Sequence, residues 1–231
     1  MKGRQRIALY GGTFDPVHAG HFSVARKLLE LFVEEVLFIP AYVAPHKRER
    51  AVTPALDRHA MLALATQGEP RVRVSRVELD APERPYTFET LGRMRQALGE
   101  RARLFFVMGA DSWSEITTWR EWERVLMLSS HIVVARPGYS LEAGHVTEAV
   151  RERLVDLRGL GPDEVASILE RDDGDRIFIT DAVVMDISAT EVRRAVREGL
   201  SDWARLVPPP VAEYIEKYRL YKDPHGREYF D

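Results

Sequence analysis

The sequence contains no cysteine. That excludes a disulfide scaffold, thiolate zinc sites, iron–sulfur clusters and a cysteine nucleophile. It has no apolar run near the roughly 18 residues that a membrane-spanning helix needs. It carries little charge of either sign in excess. There are 33 Lys and Arg against 36 Asp and Glu, a formal net charge of −3. This balance argues against a general nucleic-acid binder and leaves room only for a local basic patch. No internal repeat or low-complexity tract occurs. The first residues lead straight into an apolar run, so no signal peptide is expected. What remains is the mix of a globular chain, 231 residues with 45% hydrophobic and 30% charged. That length supports one domain with a full core. The expectation is a cytoplasmic enzyme or binding protein, a single domain over 1–221 with a polar tail at 222–231.

Strands and helices alternate along the chain. Ile7 to Tyr10 is a short apolar run closed by Gly11 and Gly12, and reads as a buried strand. Phe22, Ala25, Leu28, Leu29 and Phe32 then recur at helical spacing. Val36 to Ile39, closed by Pro40, reads as a second buried strand, completing a right-handed βαβ unit. The pattern continues with a helix over 56–67, a strand over 72–79 and a helix over 87–98. A strand over 104–108, a helix over 114–128 and a strand over 132–135 follow. Residues 140–175 carry two amphipathic stretches, 146–157 and 164–169, and read as a helical insertion or lid. A strand over 177–179, a short helix over 188–198 and a last helix over 211–218 complete the chain. Alternation of this kind predicts an α/β fold, a doubly wound, mostly parallel sheet with helices on both faces.

In such sheets ligands bind beyond the carboxyl ends of the strands. The first loop there runs Gly11-Gly-Thr-Phe-Asp-Pro-Val-His-Ala-Gly-His21. Two glycines permit close approach of backbone N–H groups to an anion. The following helix adds its N-terminus. His18 and His21, three apart, share one face of it. These parts suit a polyphosphate. Each has a plainer use, since Gly-Gly after a strand is commonly a turn and a His pair commonly lies on a surface or in a core. A zinc site is disfavoured, because the Glu of H-E-x-x-H and a third ligand are missing. The loop lacks the Gly-Lys-Ser/Thr ending of a P-loop and is not G-x-G-x-x-G. A second constellation is Ile187-Ser-Ala-Thr-Glu-Val-Arg-Arg194. Ser188 and Glu191 form a capping box that starts a helix, with Arg193 and Arg194 one turn in.

Together the two motifs resemble the nucleotidyltransferase superfamily of α/β phosphodiesterase type, which implies a Rossmann-like fold. Such enzymes transfer a nucleotide from a nucleoside triphosphate and release pyrophosphate. Within it the chain is most similar to the bacterial nicotinate-nucleotide adenylyltransferases. The resemblance rests also on Pro40-Ala-Tyr-Val-Ala-Pro-His-Lys47, Pro85-Tyr-Thr87, Gly109-Ala-Asp-Ser112 with Trp119 and Trp122, Ala135-Arg-Pro-Gly-Tyr139, and Val207-Pro-Pro-Pro-Val-Ala-Glu-Tyr-Ile215. Two positions depart from the pattern. Ala189 stands where serine is common, and Ala44 where proline is usual.

The resemblance implies ATP and nicotinate mononucleotide as substrates. It gives His18, His21 and Arg193 the catalytic roles. Gly11, Gly12, Thr13, Phe14, His18, His21, Gly109, Asp111, Ile187, Ser188 and Arg193 would hold ATP. Lys47, His46, Thr87, Trp119 and Arg136 would hold the mononucleotide. No resident metal is implied, only Mg²⁺ carried on the ATP phosphates. Each residue has a plain alternative. Residues 46–50 read as a solvated charge run, Asp111 as a cap for a helix from Ser114, and Thr87 as an N-cap. Trp119 and Trp122 read as core, although stacking one on a pyridine ring is worth about 1–3 kcal/mol. The same chemistry on nicotinamide mononucleotide, phosphopantetheine or glycerol phosphate stays open. So does a non-enzymatic nucleotide-binding regulator. Neither nucleic acid nor membrane is expected as a partner. A homo-oligomer is compatible with the sequence.

Overall fold

The structure, a computed structural model, describes residues 4–42, 52–135, 143–171, 174–181 and 187–222. Seven strands form one sheet: β1 (Gln5–Gly12), β2 (Glu35–Pro40), β3 (Val72–Val74), β4 (Ala102–Gly109), β5 (Ser130–Val134), β6 (Leu154–Asp156) and β7 (Ile177–Thr180). Their order is β3-β2-β1-β4-β5-β7-β6, and every neighbouring pair is parallel. The helices are α1 (Ala19–Leu31), α2 (Ala55–Thr66), α3 (Thr87–Leu98), α4 (Ala110–Ser114), α5 (Trp122–Met127), α6 (Glu148–Arg151), α7 (Pro162–Arg171), α8 (Ala189–Arg197) and α9 (Pro209–Lys217).

The unbroken apolar runs of the central strands follow from burial on both faces. Successive residues point to opposite sides of a strand. Ala8, Phe105, Val107, Ile132 and Phe178 join one core cluster with Phe22, Ala25 and Leu28 of α1, Leu169 of α7, Val192 of α8 and Ile215 of α9. Ile7, Leu9, Leu104, Phe106, Met108 and Val133 join the other with Leu91 and Met94 of α3, Trp113 of α4 and Val125 of α5. The chain winds outward from β1 through β2 to β3, then returns to β4 and winds the other way. The order therefore reverses between β1 and β4. The loops leaving their carboxyl ends diverge and open a crevice there.

Three expectations need correction. The third strand stops at Val74 instead of running to Leu79. Beyond it the chain turns so that Glu78 can accept from the Thr90 hydroxyl at 2.9 Å and the Tyr42 N–H at 3.2 Å. The helix expected over 114–128 is broken into α4, a 3₁₀ turn at Ile116–Thr118 and α5. The break falls at Glu121, whose φ of 50° is left-handed. The stretch 146–157 is not one amphipathic helix. It gives the four-residue α6 and then β6, which pairs with β7 and extends the sheet. With α7 packing Val165 and Leu169 into the core, the described part of 140–175 is built onto the sheet and does not stand apart as a lid. No helix among the described residues is long and apolar enough to cross a membrane.

Candidate active site

A cavity of about 440 Å³ lies at the crevice between β1 and β4. Its walls come from four strand ends: Thr13, Phe14 and Asp15 after β1, Gly109 at the end of β4 with Asp111 beyond it, Val134 on β5, and Ile187 to Thr190 in the segment that follows β7. His18 and His21 face it from the start of α1. Sequence motifs about 170 residues apart thus meet in one place.

His18 is the N-cap of α1, in extended conformation. Its backbone N–H donates to Nδ1 of His21 at 3.2 Å, so an imidazole takes the place of the usual capping carboxylate. A backbone N–H can only donate, which makes that Nδ1 an acceptor and leaves the ring proton on Nε2. Burial, and then the nearby His18, hold the His21 pKa well below its ordinary value. The two rings lie 3.7 Å apart, centroid to centroid. Phe14 meets His21 edge-on at 4.9 Å, and Tyr10 meets Phe14 edge-on at 5.6 Å while stacking on Phe38. A neutral imidazole is therefore held on a platform of aromatic rings.

Gly12, just before this loop, serves that platform, and Gly11 leaves room for a ring of the other core cluster. A Cβ on Gly12 would lie 2.8 Å from the Phe14 ring, and one on Gly11 3.2 Å from the Phe106 ring. Phe14 itself is buried and has a φ of 50°, an uncommon conformation for a bulky residue. Its side chain packs in the core, so what the loop offers at Phe14 is backbone.

Across the cavity, Ser188 caps α8. Its hydroxyl accepts from the Glu191 N–H at 3.2 Å and donates to the Glu191 carboxylate at 2.8 Å. The same carboxylate accepts the Ser188 N–H at 2.9 Å. These bonds lower the Glu191 pKa. Arg193, one turn in, donates to the Asp15 carbonyl at 2.6 Å and to the Thr190 hydroxyl at 3.2 Å. The structure thus brings His18, His21 and Arg193 to the same side of the sheet. Gly109 caps α4, and Asp111 is exposed in its first turn. The helix begins at Ala110, so Asp111 lies inside it and does not cap it.

Thr87 and Trp119 lie apart from this cavity's lining. Tyr86, not Thr87, is the N-cap of α3, and its N–H donates to Glu89 at 2.7 Å. Trp119 follows the 3₁₀ turn, half-buried, edge-on to Phe106 at 6.4 Å. Trp122 is half-buried as well. The Arg120 guanidinium lies 4.6 Å over the Tyr86 ring and ties the Thr87 and Trp119 segments together. His46, Lys47 and Arg136 lie outside the described residues.

Four residues at or behind the site have no role assigned from the sequence: Asp15 and Thr190, which lie inside the two motifs, and Arg58 and Tyr221, which lie outside them. Arg58 had a readable signal. It falls on the buried stripe of α2 with Met61 and Leu62, where a lone arginine is out of place. Tyr221, whose hydroxyl donates to the Asp15 carboxylate at 2.8 Å from 206 residues away, had no local signal.

Residues 9–195 match the family described as cytidylyltransferase-like. The chain belongs to that family. It is 37% identical over 219 residues to the protein named "Probable nicotinate-nucleotide adenylyltransferase" of Desulfatibacillum aliphaticivorans, covering 94% of this chain and 99% of the other. A protein of the same name from Acidothermus cellulolyticus is 35% identical over 232 residues, covering 98% and 99%. These relatives place the chain among the nicotinate-nucleotide adenylyltransferases. The fold is similar to that of the Plasmodium falciparum nicotinic acid mononucleotide adenylyltransferase complexed with NaAD. The TM-score is 0.69 at 20% identity, over 94% of this chain and 98% of that one. In family terms the cavity's donors are two imidazoles, backbone N–H groups and the N-terminus of α8. That set is matched to phosphate oxygens.

Proposed function

We propose that this chain transfers AMP from ATP to nicotinate mononucleotide, giving nicotinate adenine dinucleotide and pyrophosphate, a step of NAD synthesis. The observation that carries the reading is the convergence of the His18–His21 pair and the N-terminus of α8 on one crevice at the strand-order reversal. The close and nearly full-length likeness to nicotinate-nucleotide adenylyltransferases supplies the acceptor.

In this reading the mononucleotide phosphate oxygen attacks the α-phosphorus of ATP in line with the departing pyrophosphate. No covalent enzyme intermediate is needed. Such a transfer depends on positioning and on stabilising charge spread over phosphoryl oxygens. His21, neutral with its proton on Nε2, donates a hydrogen bond to a phosphate oxygen as charge develops, and His18 does so beside it. Backbone from Gly11 through Phe14 cradles the phosphates, with Gly109 and Asp111 toward the nucleoside. Ile187, Ser188 and Arg193 border the β- and γ-phosphates. Lys47, His46, Thr87, Trp119 and Arg136 bind the mononucleotide. The donors lining the cavity fit the anion, and Mg²⁺ carried by ATP would supply charge neutralisation on the phosphates with few ligands from this chain. We place the reaction in the cytoplasm, without nucleic acid or membrane.

The deciding assay incubates the pure protein with ATP, Mg²⁺ and separate acceptors, and follows pyrophosphate release. The acceptors are nicotinate mononucleotide, nicotinamide mononucleotide, phosphopantetheine and glycerol phosphate. Nicotinate mononucleotide is expected to give the highest kcat/KM. A preference for phosphopantetheine, or no release with either mononucleotide, would overturn the reading.

A further inference from the structure

Arg58, on α2, is only 1% exposed. A guanidinium buried so deeply is costly unless its N–H groups find acceptors. Each of its three nitrogens does. Nε donates to the Thr53 carbonyl at 2.9 Å, Nη1 to the Thr13 carbonyl at 2.6 Å, and Nη2 to the Tyr42 carbonyl at 3.0 Å. None of these acceptors lies in a helix or strand. Thr13 follows β1 and lines the triphosphate cavity. Tyr42 follows β2, and Thr53 precedes α2. In the chain, Tyr42 and Thr53 flank the segment that carries His46 and Lys47.

The surroundings reinforce the clasp. Tyr42 is gripped on its other side, where its N–H donates to Glu78 at 3.2 Å. Burial lowers the Arg58 pKa, and the Asp15 carboxylate is the main charge that opposes this. Asp15 is itself buried at 4% exposure. It accepts from the Tyr221 hydroxyl at 2.8 Å and the Thr53 N–H at 3.4 Å. Its backbone carbonyl accepts from Arg193. The loop from Thr13 to Asp15 is thus held from behind by α2, by α8 and by the chain beyond α9.

We infer that Arg58 is a positioning residue for the transfer reaction: its planar fork locks the phosphate loop at Thr13 into register with Tyr42 and Thr53, so that this loop, the chain leaving β2 and the start of α2 are set relative to one another by one side chain. The inference rests on the adenylyltransfer reading. Only a rigid fork of separated donors spans three carbonyls from three segments. An ammonium is a point charge and cannot. A shift of about 1 Å in such a frame can cost on the order of 100-fold in rate.

The test uses the full chain with Arg58→Lys, which keeps a cation beside Asp15, and with Arg58→Gln. Both are assayed well below their melting temperatures and normalised to folded protein by near-ultraviolet circular dichroism. For Arg58→Lys the expected result is a fall of about 10- to 100-fold in kcat/KM for both substrates. Affinity for a non-hydrolysable ATP analogue should weaken in parallel. A lower Tm with kcat and both KM values within about twofold of wild type would show a merely structural staple and overturn the inference. If neither Arg58 variant folds, Tyr221→Phe takes its place. It removes the hydroxyl that holds the Asp15 carboxylate facing the Arg58 guanidinium, so the fork is loosened but still present, and kcat/KM should fall severalfold with Tm nearly kept. Unchanged kinetics would overturn the inference. Should wild type release no pyrophosphate with any acceptor, the functional reading fails, and the ATP-analogue affinity of Arg58→Lys still decides. Weakening about tenfold supports the positioning role, and equality with wild type removes it.

Discussion

At the scale of single residues, the site depends on which protons its imidazoles carry. His21 accepts the His18 N–H at Nδ1, so it acts as a neutral donor through Nε2 and not as an imidazolium. Protonation would break that bond and place a cationic ring 3.7 Å from the His18 ring. A histidine-ring nitrogen NMR titration should therefore find His21 in the Nε2–H form from pH 8 down to about 6, below the ordinary midpoint near 6.5. A midpoint near 6.5 would remove this role. Kinetically, His21→Ala and His18→Ala are each expected to lower kcat by about 10²–10⁴, the range for positioned groups acting in the transition state. Near-normal turnover in purified His21→Ala would refute it. Much of this site could be read in advance. The spacing of His18 and His21 and the capping signature at Ser188 are local features. The reason for Gly12 could not be read, because it depends on a ring two residues on that turns back through a left-handed φ.

At the scale of elements, α8 illustrates how a cap and a ligand site compete for the same atoms. The Ser188 hydroxyl is already engaged at both its donor and an acceptor position by Glu191. What α8 can offer an anion is its unpaired backbone N–H groups and its dipole. Ser188→Ala should then cost about 1 kcal/mol of stability, as loss of a serine cap does. For a chain of this size that is about 2–4 °C in Tm. The same variant should lose less than about tenfold in kcat, well short of the loss expected for a side chain that contacts the transition state. Urea unfolding and steady-state kinetics on one preparation check both, and a loss of 100-fold or more would make the hydroxyl a direct phosphate ligand. Elements with strong periodicity were legible: α1, α2, α3 and the central strands fall close to where their spacing predicts. Weakly patterned ones were not. β6 is three residues long, too short to display a period, and its strand character comes from pairing with β7. The tryptophan segment reads as one helix because its apolar residues keep helical spacing, yet Glu121 takes a left-handed φ and breaks it. Trp119 is thereby placed outside a helix, edge-on to Phe106.

At the scale of the whole molecule, the sheet buries ionisable groups whose protonation differs between folded and unfolded chains. His131 on β5 is fully buried, edge-on to Phe106 at 5.9 Å. Burial, and then the Arg153 charge, push its pKa down to about 3. The unfolded chain takes up a proton there below about pH 6.5, and the folded chain does not. Stability from this group is complete above that pH and is lost as pH falls from about 6.5 toward 3. Between pH 7 and pH 5 the loss is about 2 kcal/mol for one such histidine. His21 and His59, also lowered by burial, act in the same sense. Glu78, whose pKa burial raises, acts in the opposite sense, since its folded form holds a proton more readily as pH falls. The clean measurement is therefore a difference. Wild type and His131→Leu are unfolded in urea at pH 7 and at pH 5. Leucine keeps the site apolar beside Phe106 and cannot bind a proton. Wild type is expected to lose about 2 kcal/mol more than the variant over that interval. Equal losses in the two proteins would mean that His131 binds its proton alike in both states, and that the sheet interior at β5 admits charge.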